Sequence, residues 1–182
     1  MPARRRFPCA RCGRPLRRAE PPGGARVGRP PRIACPRCKF LIYDYPRPCA
    51  GMVVVKGDSA LMLRRAFPPR KGCLDIPGGF IEAGENIEAA ARRELLEETT
   101  LRLGTVRELG FYWDRYYLKG FGWFPTMNFY FLGHWRSGTA LAGDDAASAE
   151  WIPIGRLGRT GAVLAWKHMS DVFRDVRRMT RA

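Results

Sequence analysis

Apolar and polar positions follow two rhythms along this chain, and its first third keeps to neither. Residues 50–56 (AGMVVVK) form an unbroken, β-branched apolar run that reads as a buried strand. Gly57-Asp58 is a turn signal, and residues 60–65 (ALMLRR) read as the partner strand. A Pro-containing loop over 67–72 and the short Leu74-Asp75-Ile76 lead into Pro77-Gly78-Gly79. The rhythm then changes. Residues 87–99 lack Gly and Pro and are rich in Ala, Leu, Glu and Arg, which predicts a helix, with Asn86 as its N-cap and Glu85 and Glu88 near its positive end. Residues 105–114 and 125–135 are aromatic, β-prone stretches around a Lys119-Gly120-Phe121-Gly122 connection, and Trp151-Ile152-Pro153 reads as a late strand. Residues 162–179 space Trp166, Met169, Phe173, Val176 and Met179 by three and four, the pattern of an amphipathic closing helix that packs on the core.

The front of the chain is punctuated by cysteine instead. Cys9-x2-Cys12 and Cys35-x2-Cys38 are two CxxC pairs with 22 residues between them, and Gly13 after the first suits a tight knuckle turn. Four thiolates so spaced read as a closed, tetrahedral, structural zinc site, although the gap exceeds the usual length of about 15–20 residues. Disulfides are disfavoured without a secretory signal, and a redox CxxC is disfavoured because neither pair sits in a βαβ pattern. Residues 14–32 are rich in Pro, Gly and Arg and read as an exposed loop. Phe40-Leu41-Ile42-Tyr43 suggests a short strand, and Tyr45-Pro46-Arg47-Pro48 a linker. The predicted organisation is a small zinc ribbon over 1–46 and a larger domain over 47–182. Cys49 and Cys73 stand alone and read as small core or edge residues.

Chemistry concentrates on the predicted helix. Glu94, Glu97 and Glu98 stand at i, i+3 and i+4, so their carboxylates share one face. They repel one another, and Arg92 and Arg93 offset this only in part. A hard divalent cation with oxygen ligands would resolve the repulsion, and magnesium commonly shares such a site with substrate phosphates. The glycines of the preceding turn let backbone come close to the same place. A solvated charged face is the bland alternative.

The spacing is more specific than that alternative requires. Gly79, five residues, Glu85, seven residues, then Arg93-Glu94-Leu95-x-Glu97-Glu98-x-x-Leu101 resembles the box of the Nudix hydrolases, G-x5-E-x7-R-E-U-x-E-E-x-G-U with U aliphatic. One fixed position departs: Thr100 stands where the family has glycine, at a helix exit where a left-handed residue other than glycine costs about 1–2 kcal/mol. The resemblance covers residues 50–153 and implies an α/β/α sandwich around a mixed sheet. It further implies Mg2+- or Mn2+-dependent hydrolysis of a diphosphate. Glu94 and Glu98 would be the principal metal ligands, with Glu97 and the Gly78 carbonyl beside them. Arg93 would orient the glutamates, and Glu85 would support the network. Glu94, Glu97 and Glu150 all qualify as the base; Glu150 enters because family members sometimes use an acid from the loop that Asp144, Asp145 and Glu150 resemble. Arg64 and Arg65 could reach a phosphate, and Tyr116, Tyr117 or Trp123, in the predicted connecting loop, could stack an adenine or flavin ring.

A four-cysteine ribbon joined to such a domain resembles NADH pyrophosphatases and smaller enzymes acting on ADP-ribose, NADH or FAD. The SQPWPFPxS motif of the NADH enzymes does not follow the box here, which favours the second group and a dinucleotide-type diphosphate. The resemblance also allows a homodimer. The rival reading is a basic zinc-ribbon protein that binds nucleic acid and keeps the Nudix domain as a non-catalytic scaffold.

Charge bears on that rivalry. The net charge of +15 is uneven: residues 1–50 hold 13 Lys and Arg against 2 acids, and residues 51–182 hold 19 against 15. A basic front end suits polyanions. Yet residues 11–39 contain no aromatic side chain on which bases would stack, which speaks against nucleic acid. No apolar run reaches the roughly 18 residues of a membrane span, and the basic start lacks an apolar core like that of a secretory signal; cytoplasm is the default. His134, read in a strand, and His168, read on the last helix, have no matched acid or nucleophile in a motif, so no Ser-His or Cys-His mechanism is indicated.

Overall fold

The computed structural model describes residues 8–19, 32–43, 45–120, 122–143, 145–158 and 163–180. It divides into two compact units, Met1–Tyr45 and Pro46–Ala182. Most of the predicted 14–32 loop, and Asp144, lie outside the described residues.

The first unit is a three-stranded antiparallel sheet, β1 (Arg17–Ala19), β2 (Arg32–Ala34) and β3 (Leu41–Tyr43), in that order. Its apolar centre consists of Cys9, Leu16 and Cys35, with Cys12, Ile33, Cys38 and Phe40 against them. Two equivalent turns carry the cysteines. The Gly13 N–H donates to the Cys9 carbonyl and the Lys39 N–H to the Cys35 carbonyl, and both Gly13 and Lys39 have left-handed backbone. Glycine takes that conformation freely, whereas lysine is held in it by the turn.

The second unit opens with β4 (Arg47–Lys56) and β5 (Ser59–Arg65), then the short β6 (Leu74–Asp75) and β7 (Gly78–Phe80). Helix α1 (Ile87–Thr99) follows, then the long β8 (Val106–Leu118) and β9 (Gly122–His134), β10 (Ala146–Pro153) and α2 (Met169–Thr180). The main sheet runs β10-β5-β4-β9-β8, antiparallel except for the β4–β9 pair. β4 and β5 pair only at their hairpin end, through Val55 with Ala60 and Lys56 with Ser59. Beyond it they splay: β7 pairs with β4 at Cys49–Gly51, and β6 with β5 at Leu63 and Arg64.

β4 is apolar without alternation because both of its faces are covered. Met52 and Val54 pack with Leu61 against Ala90, Ala91 and Leu95 of α1. Val53 and Val55 pack with Met62 against Met169, Val172, Phe173 and Val176 of α2. The result is the mixed, curled sheet between two helices that the α/β/α sandwich requires.

Several boundaries differ from the sequence reading. Glu150, read in an acidic loop ahead of a strand at 151–153, lies within β10 and pairs with Met62, and β1 lies inside the stretch read as a loop. Arg47 and Pro48, read as linker, begin β4, where they pair with Thr126 and Met127. Tyr116, Tyr117 and Trp123 are not in a loop: β8 and β9 extend to Leu118 and from Gly122, and Tyr117 pairs directly with Trp123. Aromatic alternation continued the strands past the point where Lys and Gly suggested a break. α2 begins at Met169, so Trp166 and His168 precede it. Among the described residues no helix is long and apolar enough to cross a membrane.

Candidate active site

The opening of the β4–β5 hairpin leaves a cavity of about 540 Å3 beside α1. α1 forms as its sequence dictates: the Asn86 side chain accepts from the N–H groups of Glu88 and Ala89, and Ala90, Ala91, Leu95 and Thr99 bury the opposite face. At its end Thr100 adopts φ 61°, ψ 2°, and its N–H donates to the Leu96 carbonyl. Threonine therefore makes the same left-handed exit that glycine would make without strain.

The carboxylates of α1 are not equivalent. Arg93 Nε and Nη2 donate to the two oxygens of Glu85 at 2.8 and 2.9 Å, and Nη1 donates to Glu94 Oε1 at 2.8 Å and to Glu97 Oε2 at 3.2 Å. This bidentate pairing with Arg93 holds the Glu85 carboxyl below its ordinary range, helped by the Glu82 N–H. Glu94 is shifted the other way: burial disfavours its charge more than Arg93 restores it, and Glu97 and Glu85 add repulsion. Glu98 is shifted most. Burial pushes it up to about 8, and Asp75, Glu94 and Asp145 add to the effect, although the Gly78 N–H donates to its Oε2 at 2.8 Å.

Glycine permits this arrangement at two positions. A Cβ on Gly79 would stand 2.5–2.7 Å from the Glu94 carboxylate, and one on Gly78 would stand 2.6 Å from the Ala50 carbonyl oxygen. Any side chain at either position would displace what lies against it.

The residues singled out from the sequence fall into two groups. Gly78, Arg93, Glu94, Glu98, Arg65 and Tyr116 line the cavity. Glu85 adjoins it through Arg93. Glu97, Glu150, Arg64, Tyr117 and Trp123 do not line it. Glu97 is exposed and tied to Arg93. Arg64 and Glu150 hold each other through two bonds of 2.9 and 3.0 Å, with Ser148 Oγ adding a third to Glu150, which keeps that carboxyl low; Asp145 and Ala146 face the cavity from the same region. Neighbouring positions on β5 point to opposite faces, so Arg65 turns inward as Arg64 turns out. Arg65 donates to Asp75 Oδ2 at 2.8 Å and to the Pro69 carbonyl, and its guanidinium lies 5.4 Å from the Trp166 ring centre. Tyr117 and Trp123 are exposed on the other face of the β8–β9 ribbon.

Several lining groups other than Tyr116 escape a sequence reading. Tyr116 and Trp166 rings approach to 5.2 Å at one wall, with Phe80 and Phe124 beside Tyr116. His168 is buried; its Nδ1 is 2.6 Å from Asp114 Oδ2 and its Nε2 is 2.9 Å from the Tyr130 hydroxyl. The acid matched to His168 thus lies 54 positions away, on β8, where no local motif could reveal it. Among the described residues no Ser or Cys nucleophile shares a bond with this histidine.

Two donor sets could hold metal. Among the described residues, the four cysteines alone form a group of three or more Cys, His or acidic ligand atoms lying within 4.8 Å of one another. Two of their sulfur pairs, Cys9–Cys38 and Cys12–Cys35, are 3.5 and 3.4 Å apart. A tetrahedron of sulfurs about 2.3 Å from zinc has edges of about 3.8 Å, which these side chains reach with small adjustment. At the cavity, Glu94 and Glu98 offer hard oxygen donors whose burial and mutual repulsion a divalent cation relieves.

The NUDIX domain family matches residues 45–175. An ADP-ribose pyrophosphatase of Methanocaldococcus jannaschii is 32% identical over 142 residues, covering 77% of this chain and 78% of that protein. An NAD-capped RNA hydrolase NudC of Klebsiella pneumoniae is 28% identical over 99 residues, 54% of this chain but only 35% of that protein's length. In fold, a NUDIX hydrolase from Nitrosomonas europaea superposes with a TM-score of 0.68 at 23% identity, covering 95% of this chain and 92% of that one. The NUDIX domain of Shewanella oneidensis NrtR, solved with ADP ribose, gives 0.62 at 16% identity over 76% and 90%. A splayed hairpin, a glycine turn against an acidic helix and a family match over most of the chain agree: the protein belongs to the NUDIX family.

Proposed function

We propose that the chain is a metal-dependent pyrophosphohydrolase that splits a nucleoside diphosphate joined to a second moiety, of the ADP-ribose type. The observation that carries this reading is the cavity itself: acid at one end, where Glu94 and Glu98 meet Gly78 and Gly79, and paired aromatics with Arg65 along a wall. The M. jannaschii relative, by its name, acts on ADP-ribose and aligns with most of this chain. The NudC relatives, by theirs, act on NAD-capped RNA, which keeps a nucleotide-linked substrate in view.

The residues divide the work by position. Glu98 and Glu94, with the Gly78 carbonyl, would hold Mg2+ or Mn2+. Bound there, the cation would neutralise phosphoryl charge and acidify a water. Arg93 fixes Glu94 by holding its Oε1, while Glu85 fixes Arg93 in turn. Of the three candidate bases, Glu94 alone lines the cavity. Arg65, already anchored by Asp75, offers its charge to the diphosphate. Tyr116 and Trp166 supply ring faces for a base, in place of Tyr117 and Trp123. Residues 1–46 serve as a structural zinc ribbon.

The test is hydrolysis of ADP-ribose, FAD, NADH and a nucleoside triphosphate with Mg2+ and with chelator, alongside metal analysis of the purified protein. The reading predicts AMP from a dinucleotide-type diphosphate, loss of turnover with chelator, and one zinc per chain. Turnover that chelator leaves intact, or tight binding of nucleic acid without hydrolysis, would overturn it.

A further inference from the structure

Asn128, which lines the cavity, holds one polar atom that no protein group binds. Asn128 lies in β9 and is 9% exposed. Its Nδ2 donates to the Tyr112 carbonyl at 3.0 Å and to Thr126 Oγ1 at 3.2 Å. A main-chain carbonyl only accepts, so the amide nitrogen must be the atom facing Tyr112. The amide is thereby turned one way, and Oδ1 points away from both tethers. No hydrogen bond to Oδ1 occurs among the described residues, and none of their buried side-chain oxygens or nitrogens lacks a partner. Oδ1 is therefore open, and Asn128 lines the cavity.

Its buried polar neighbours already hold protein partners. The Tyr130 hydroxyl meets His168 Nε2, and His168 Nδ1 meets Asp114, whose other oxygen accepts from the Arg115 N–H. Thr126 Oγ1 accepts from Asn128 itself. An oriented, nearly buried acceptor amid closed pairs is a recognition element: an occupant with a donor there gains a bond, and one without it strands a polar atom.

We propose that Asn128 determines specificity: its Oδ1 accepts from an N–H or O–H donor of the substrate moiety seated in the cavity. This rests on the reading of the site as a nucleotide-diphosphate hydrolase. The donor is either the exocyclic amine of the base or a ribose hydroxyl, and analogues separate them.

The experiment compares kcat/KM for ADP-ribose, its inosine counterpart, in which a carbonyl replaces the amine, and its 2′-deoxy counterpart, using the full chain and Asn128→Ala. The native chain is expected to prefer ADP-ribose over one of the two analogues by about 10- to 100-fold. Asn128→Ala should erase that preference while changing the disfavoured analogue little; the analogue whose penalty vanishes identifies the donor. Asn128→Ser, whose hydroxyl can still donate to the Tyr112 carbonyl, should behave alike if Ala at this position unfolds the chain. Equal losses on all three substrates, with selectivity kept, would overturn the assignment and leave the proposed activity standing. Failure of the native chain to hydrolyse any of them would overturn both.

Discussion

Thr100 ends α1 in a left-handed conformation that its Cβ opposes. Nothing else about the residue compensates: it is exposed, and only its N–H is engaged at this exit. Thr100→Gly should remove about 1 kcal/mol of backbone strain, raising the melting temperature by about 2–4 °C in thermal unfolding. A fall would show that the threonine earns its place by a contact the backbone does not reveal. The exchange removes no carboxylate from the cavity, so turnover should stay within about twofold. At this scale much was legible. Spacing alone put Glu94, Glu97 and Glu98 on one helix face, and the family resemblance added Arg93 and Glu85; spacing did not reveal that Glu97 stays outside the cavity. Asn128 could not be named, since its surroundings depend on which strands meet around the cavity.

Elements are joined by groups that no single segment announces. Asp114 on β8 accepts from the ring Nδ1 and the backbone N–H of His168, just ahead of α2, and from the Arg115 N–H. Burial works against the Asp114 charge, yet these bonds hold its pKa below the ordinary value. A carboxyl with a depressed folded pKa contributes stability above its unfolded pKa, and that stability is lost as pH falls through the folded value. Asp114→Asn should therefore lower the melting temperature at pH 7. The gap from the native chain should narrow below the usual aspartate value of about 3.9. Melting curves from pH 7 to 3 would check this, and a gap that stays constant would place the stabilisation elsewhere. Helix α1 and the 50–65 hairpin were readable because both follow one rhythm throughout. The ends of β8 and β9 were not. Lys119 and Gly120 signal a turn but do not say how far cross-strand aromatic pairs, such as Tyr117 with Trp123, carry the ladder toward it.

On the scale of the whole molecule, the sequence reading reached the sandwich and the cysteine quartet, since the family spacing and two CxxC pairs are local patterns. The splay of β4 from β5 was beyond it, as was the turning of Arg64 and Glu150 toward each other. Both are decided by long-range pairing. The account as a whole depends on an acidic pair held at the mouth of that splay. Glu98→Gln is its most direct test, because glutamine keeps the shape and can still accept from the Gly78 N–H while giving up the charge. Turnover of ADP-ribose with Mg2+ should fall by about 100-fold or more, with a melting temperature equal to or above that of the native chain, since a buried charge is costly. Near-native turnover in a folded Glu98→Gln protein would contradict the account.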